Sequence, residues 1–391
     1  MKVDADDALA IRHADADLLS LALIDARNHT LAWLAHFESQ QALLRSEGGL
    51  MPLWLAGHPG AYQDRWIARN LQRQRGEAGD GGTARGPAAD SLVQAWFDGL
   101  AEPPSADELR RYLAQTLETT LDLLAAAGPG DAPLHYFRQA LLHEDRLSEA
   151  LAERAADLQL PAGPLWRAPP ARPAREPLWM PAQRLQLGSP AGGTVPDNER
   201  WAHEVALPEF EIDAQAVSWA RYVEFAEDGG YDRQELWSEA GWAWVQTEGR
   251  RAPRHVEQMR GSVLVQRHGQ TQRVAAGQAA LHVSRHEAEA WCRWAGRRLP
   301  TEPEWEAAAA AGASRGFAWG DAFEWVAGSA RAWPGQRSGP GSLDLMPPPG
   351  TQAVLRGASW ITRQRCRHPK ARRFAPAARD TMFSGFRSCA I

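Results

Sequence analysis

The chain has 391 residues, 44% hydrophobic and 23% charged, ordinary values for a globular protein long enough for two cores. A formal net charge of −5 gives no basic footprint for nucleic acid, and no apolar run approaches the length of a membrane span. The acidic start, MKVDADDALA, has no signal-peptide core, and Cys292, Cys366 and Cys389 are too few and scattered for a disulfide framework, so a reduced, cytoplasmic protein is expected.

The first half reads as helices. Leu18, Leu19, Leu21, Leu23 and Ile24, then Leu31, Leu34 and Phe37, form a long stripe, and a second helix begins near Trp54. Residues 76–89 are a Gly/Ala loop. Ser105 and Glu108 form a capping box for a third helix that stops at Gly128-Pro129-Gly130, and a fourth helix runs over 134–158. Four amphipathic segments with modest connections predict a four-helix bundle over 8–160. The Pro-rich stretch 161–182 reads as a semi-rigid linker. Fourteen of the 18 tryptophans follow residue 160, among short apolar runs broken by Gly, Pro and Asp, an α+β pattern over 183–391. One helix stands out there, SRHEAEAWCRWAG, with Ser284 as its N-cap.

Short motifs occur in a telling order: PDNERWAHEV at 196–205, HVSRHEAEAWCRWAGRRLPTEPEWEAAA at 282–309, FEWVAGSARAWPG at 323–335, VLRGASW at 354–360 and the terminal FSGFRSC. Together with PLWLAGHPGAYQDRWIARN at 52–70 and YFRQALLHEDRLSEAL at 136–151, they resemble the iron-dependent sulfoxide synthases of ergothioneine biosynthesis and their selenoneine-making relatives. The resemblance implies a DinB-like bundle joined to a domain of the formylglycine-generating-enzyme, C-type-lectin-related kind. It also implies iron(II) held by three histidines between the two, and hercynine as the substrate that receives sulfur or selenium in an oxygen-dependent reaction. Two of those histidines come from an H-E-x-x-H helix, where i and i+4 share one face.

On this sequence the metal ligands carried over are His58 and His143. The remaining position falls on Leu147, which cannot ligate, beside Arg146. Gln139, at i−4 from His143, offers only an amide oxygen, while Glu144 and Asp145 should point elsewhere. Trp333 and Phe374, with Ser384 and Arg387 of the terminal loop, are expected around the substrates, Arg387 serving a structural role. The Trp-Asp and tyrosine of the relatives that use γ-glutamylcysteine are replaced by Phe374-Ala375 and Trp333, and no arginine lies in 92–98. A neutral donor such as a selenosugar fits these changes better than a charged thiol peptide. A thiol-using synthase, and a lapsed member that only binds a small ligand or a partner protein, are the alternatives. A single cysteine in SWITRQRCR gives no two-thiolate copper site. His282 and His286, and Asp197, Asn198 and Glu199, have spacings that suit a metal, but structural roles are favoured. Trp242, Trp244 and Trp325 read as core before they read as a cation–π pocket.

Overall fold

The computed structural model describes residues 5–80, 86–164, 166–343 and 345–391, so residues 81–85 of the expected loop lie outside the described residues. Helix α1 (Ala16–Ser39) starts where the Asp15 side chain accepts from the Leu18 N–H. Its buried face is Leu19, Leu23, Ala26, Thr30, Leu34 and Phe37. Leu21 and Ile24, counted into the stripe from sequence, point to solvent (64% and 40% exposed), because at 100° per residue they fall on the far side. Helix α2 (Pro52–Gln63) and the short α3 (Ser91–Phe97) follow. The Ser105–Glu108 capping box opens α4 (Ala106–Ala125), and α5 (Asp131–Asp157) begins after Gly130 at φ +104°, a conformation that suits glycine. Helices α5 and α4 each pack on both α1 and α2, a four-helix arrangement.

One buried cation ties the four helices. Arg27 on α1 pairs through Nε with Glu144 of α5 at 2.7 Å, donates to Gln63 of α2 at 2.9 Å, and donates to the Leu113 carbonyl of α4. Thr30 adds a hydrogen bond to the same carboxylate at 2.9 Å.

The C-terminal half is α+β. Strands β1 (Leu178–Met180), β2 (Gln183–Leu187), β3 (His203–Leu207) and β4 (Phe210–Ile212) pair as β1–β4 and β2–β3. Helices α6 (Trp219–Glu227) and α7 (Glu239–Glu248) precede a meander of β5 (Val256–Arg260), β6 (Ser262–Arg267) and β7 (Gln270–Arg273). Then come α8 (Arg285–Trp294), with the expected Ser284 cap, and α9 (Glu302–Ala311). Strands β8 (Ala322–Ser329), β9 (Ala353–Ala358), β10 (Arg372–Ala375) and β11 (Ser384–Phe386) form the sheet β10-β9-β8-β11, with β11 parallel to β8. Trp219, Trp291, Trp305 and Trp325 are at most 2% exposed and fill space between these short elements. Trp242 and Trp244 pack half-buried against the same core.

A further sequence expectation changes. The Pro-rich stretch is extended, as its fixed φ angles dictate, but it is not a free spacer. Its carbonyls and remaining N–H groups bond to the C-terminal half: Arg172 N–H to Gly277 O at 2.9 Å, Gln278 to Pro169 O at 2.7 Å, and β1 to β4. Asp197 and Glu199 have the structural role favoured for them, as buried ion-pair partners of Arg200 and Arg12. Glu199 takes both Arg12 amines, at 2.8 and 2.9 Å, and joins the N-terminal segment to the C-terminal half. Further links run from α5, where Asp145 receives Arg365 at 2.6 and 2.8 Å and Glu149 receives Ser359, Thr362 and Arg373. Among the described residues no helix is long and apolar enough to cross a membrane.

Replacing Arg27 by Met strands the Glu144 carboxylate in the bundle core. Urea denaturation of Arg27→Met should show a loss of about 3–5 kcal/mol; a loss below about 1 kcal/mol would mean the network holds nothing together. Acid tests the second link. Burial raises the Glu199 carboxyl, but Arg12, His368 and Ser189 outweigh it and bring the pKa from 4.5 to about 2. A depressed carboxyl contributes stability above its unfolded value and loses it as pH falls from about 4.5 toward 2. Arg12→Ala should therefore move the acid-unfolding midpoint to higher pH, as read by circular dichroism, and an unmoved midpoint would rule the link out.

Candidate active site

His58 sits in the middle of α2, in Gly57-His58-Pro59-Gly60, a run that looks hostile to a helix. Packing explains it. A Cβ on Gly57 would come within 2.9 Å of Leu109, and one on Gly60 within 2.7 Å of Tyr112, both on α4. The glycines thus let α2 and α4 approach closely. Pro59 removes one helical hydrogen bond, and the last turn loosens into a π-turn at Asp64–Ala68. The half-buried His58 ring lies against Trp54 (centroids 4.4 Å apart) and meets Phe97 edge-on at 5.9 Å.

His143, on α5, meets it. His58 Nδ1 and His143 Nε2 are 2.7 Å apart, a direct hydrogen bond between imidazoles, with ring planes at 72°. Such a bond needs one ring nitrogen to carry hydrogen and the other to offer its lone pair. Burial lowers the His58 pKa, and burial, His58 and the Arg146 charge hold His143 well below its usual 6.5. Both rings are neutral at pH 7.

Tyr62, one turn beyond His58, packs its ring 4.9 Å from His143. Its hydroxyl donates toward Gln139 Oε1 at 2.7 Å and the Gly341 carbonyl at 3.0 Å. Gln139 is one turn before His143, so two i/i+4 pairs face each other across α2 and α5. Gly341 belongs to the long β8–β9 connection, which brings the C-terminal half onto this face. Burial holds the Tyr62 hydroxyl protonated, well above its usual pKa. Sequence reading passed over Tyr62, although its spacing from His58 was a usable signal.

Leu147 follows His143 by one turn and packs into the apolar cluster of Trp33, Leu151 and Phe383. Glu144 and Asp145 are committed to Arg27 and Arg365. His29 and His36 flank Trp33 on α1, and His135 lies edge-on to Tyr136. Among the described residues no three His, Cys, Asp or Glu side chains are placed to share a metal ion. Two nitrogens at roughly 2.1 Å from one ion stand about 3 Å or more apart, so the 2.7 Å contact is closer than a shared ion allows. The side chains as they stand do not complete the three-histidine iron centre.

The other expected site residues keep separate company. Trp333 and Phe374 both pack on the Arg372 guanidinium, 3.9 and 5.0 Å from its carbon, and Arg372 is held by Glu302. Ser384 is fully buried and donates to the Val283 carbonyl at 2.8 Å. Arg387, also fully buried, pairs with Glu324 and donates to the Asp213 and Ala318 carbonyls. Ser384 and Arg387 are therefore sealed in the interior and do not line an open pocket: β11, which starts at Ser384, is buried along its length, and Arg387 follows it directly. None of these four residues hydrogen-bonds or stacks with His58 or His143 among the described contacts. His282 turns to His255 and Phe383 while His286 packs on Trp244, so the two are not a ligand pair.

Residues 167–336 match the model of the sulfatase-modifying factor enzyme 1-like domain. The proteins named hercynine oxygenase from Mycobacterium tuberculosis and Mycolicibacterium smegmatis are each 30% identical to this chain, over 94% and 96% of it and 97% and 98% of their own lengths. The formylglycine-generating enzyme of Streptomyces coelicolor is 34% identical over 41% of this chain and 56% of its own. A relationship that runs end to end, over the helical half as well as the sulfatase-modifying-factor half, makes this chain a member of the hercynine oxygenase family of oxidoreductases, the ergothioneine-type sulfoxide synthases.

Proposed function

We propose that the chain is an oxygen-dependent enzyme that joins selenium, or alternatively sulfur, to the imidazole ring of hercynine, in the manner of a selenoneine synthase. A DinB-like bundle at 8–160, the connecting stretch at 161–182 and a formylglycine-generating-enzyme-like domain at 183–391 belong to the same reading. The observation that carries it is the full-length relationship to proteins named hercynine oxygenase. The meeting of His58 and His143 from separate helices supports the position of the site. There the chain supplies two neutral imidazoles able to hold or pass a proton, and a Tyr62 hydroxyl that donates and does not ionise. Trp333 in place of a titratable tyrosine, and Phe374-Ala375 in place of Trp-Asp, favour an uncharged selenosugar over a thiol peptide. Iron(II) is the cofactor such chemistry calls for, and the donor set present is one ligand short of the family's three.

That shortfall favours a second reading, a lapsed member that keeps the scaffold and binds a betaine or a partner protein. Its specific support is Leu147 and the direct imidazole–imidazole bond. Oxygen uptake by protein purified anaerobically and supplied with iron(II) separates the two. Uptake that requires both hercynine and a selenosugar, with γ-glutamylcysteine at least tenfold poorer, is expected of the enzyme. Absence of donor-dependent uptake would leave the binding reading. The location is tested by Leu147→His, which restores the i, i+4 pair on a regular helix. Retained iron after gel filtration should rise several-fold toward one per chain, and iron content equal to that of the parent would remove His58 and His143 as the place.

A further inference from the structure

Away from the two histidines, the C-terminal end of α5 and the segment carrying Trp166 meet the β5–β6 hairpin around a small cavity. It encloses about 30 Å³, room for roughly two water molecules. Gln159, His255, His268 and His282 border it, and all four hold left-handed φ angles, +54°, +67°, +58° and +59°. Strain of this kind at residues other than glycine persists only where surrounding structure enforces it.

The polar atoms here are idle in a telling way. The Gln159 amide nitrogen donates to the Ala156 carbonyl at 2.9 Å, and its amide oxygen faces the Gly269 N–H at 3.4 Å. The same nitrogen lies 2.9 Å from His255 Nδ1, which must therefore accept. His255 Nε2 then carries the hydrogen, and it is buried without a partner. Trp219, a residue 2% exposed, borders the cavity, and its indole N–H also lacks a partner. Arg254 is balanced by Asp157 and Asp380. Arg267 is not: half-buried, 6.0 Å over the Trp166 ring, it has no carboxylate within ion-pairing distance among the described residues. Burial accordingly lowers its pKa. Three unused N–H donors, on Arg254, His255 and Trp219, and the partly buried Arg267 cation outnumber the one unused acceptor, His268 Nε2, among the lining residues, a balance that an anion would satisfy.

We propose that this cavity binds a small oxyanion, a carboxylate or bicarbonate no larger than acetate, with Arg267 as its counter-charge and the His255 Nε2–H as the donor that orients it. The assignment is independent of the chemistry at His58 and His143. It is tested by tryptophan fluorescence, since Trp166, Trp219 and Trp360 border the space. The full chain is titrated with formate, acetate and bicarbonate, with ionic strength held by gluconate, an anion too large to enter. A saturable change with at least one small anion is expected, at least tenfold weaker in Arg267→Met and weakened also in His255→Phe, both checked for folding by circular dichroism. A linear response, or equal affinity in parent and folded variants, overturns the proposal. Crystals of the parent soaked in bromide give a check free of substitutions. An anomalous peak inside the cavity supports the site, and its absence at saturating bromide overturns it.

Discussion

Helix α5 presents carboxylates on two separate sides, and arginines from different parts of the chain answer them. Glu144 faces inward to Arg27, while Asp145 and Glu149, 100° and 140° further round the helix, face Arg365 and Arg373 of the C-terminal half. Buried ion pairs of this sort gain little over well-packed apolar residues, because desolvation offsets most of the attraction. Their strength lies in what happens when they are broken. A carboxylate left without its guanidinium costs several kcal/mol, about 3–5, so every rotation or slide of α5 relative to either side is penalised. The helix that carries His143 is held in azimuth by charge on both flanks, and the position of the histidine is a by-product of that restraint.

What the sequence disclosed follows from how local each signal is. The Ser105–Glu108 capping box and the Ser284 N-cap are each a matter of four residues, and both formed, the latter with Glu287 completing a second box. Gly128-Pro129-Gly130 stopped one helix and started the next for reasons of backbone geometry alone. Leu21 and Ile24 were misplaced because a count of leucines ignores phase. Helix α3 is too short to show periodicity. The Pro-rich stretch was read from its torsional stiffness, and stiffness says nothing about which carbonyls another strand will claim. His58 and His143 could be singled out by resemblance, but not their contact, nor the Tyr62–Gly341 hydrogen bond, which joins residues 279 positions apart.

The difference at the site is confined to a side chain. Helix α5 is regular from 143 to 147, and Leu147 occupies the turn where a partner imidazole would stand. Around it the environment is poor in uncommitted charge. The nearby acids serve Arg27 and Arg365, both histidines are neutral, and Arg146 further discourages protonation of His143. The two imidazoles meet here, and among the described residues no third donor stands with them.

The single proton of Tyr62 is shared between two acceptors, Gln139 at 2.7 Å and the Gly341 carbonyl at 3.0 Å. A hydroxyl can satisfy only one of them well, and the shorter contact takes the larger share. Gln139 thus holds the stronger hydrogen bond, and the Gly341 carbonyl the weaker one. The same connection is seated by the Gly339 N–H on Asp197 at 2.8 Å and by Leu343 on the cluster of Tyr62 and Tyr136, so the cover over the histidine face rests on several contacts of which the Gly341 bond is the lightest.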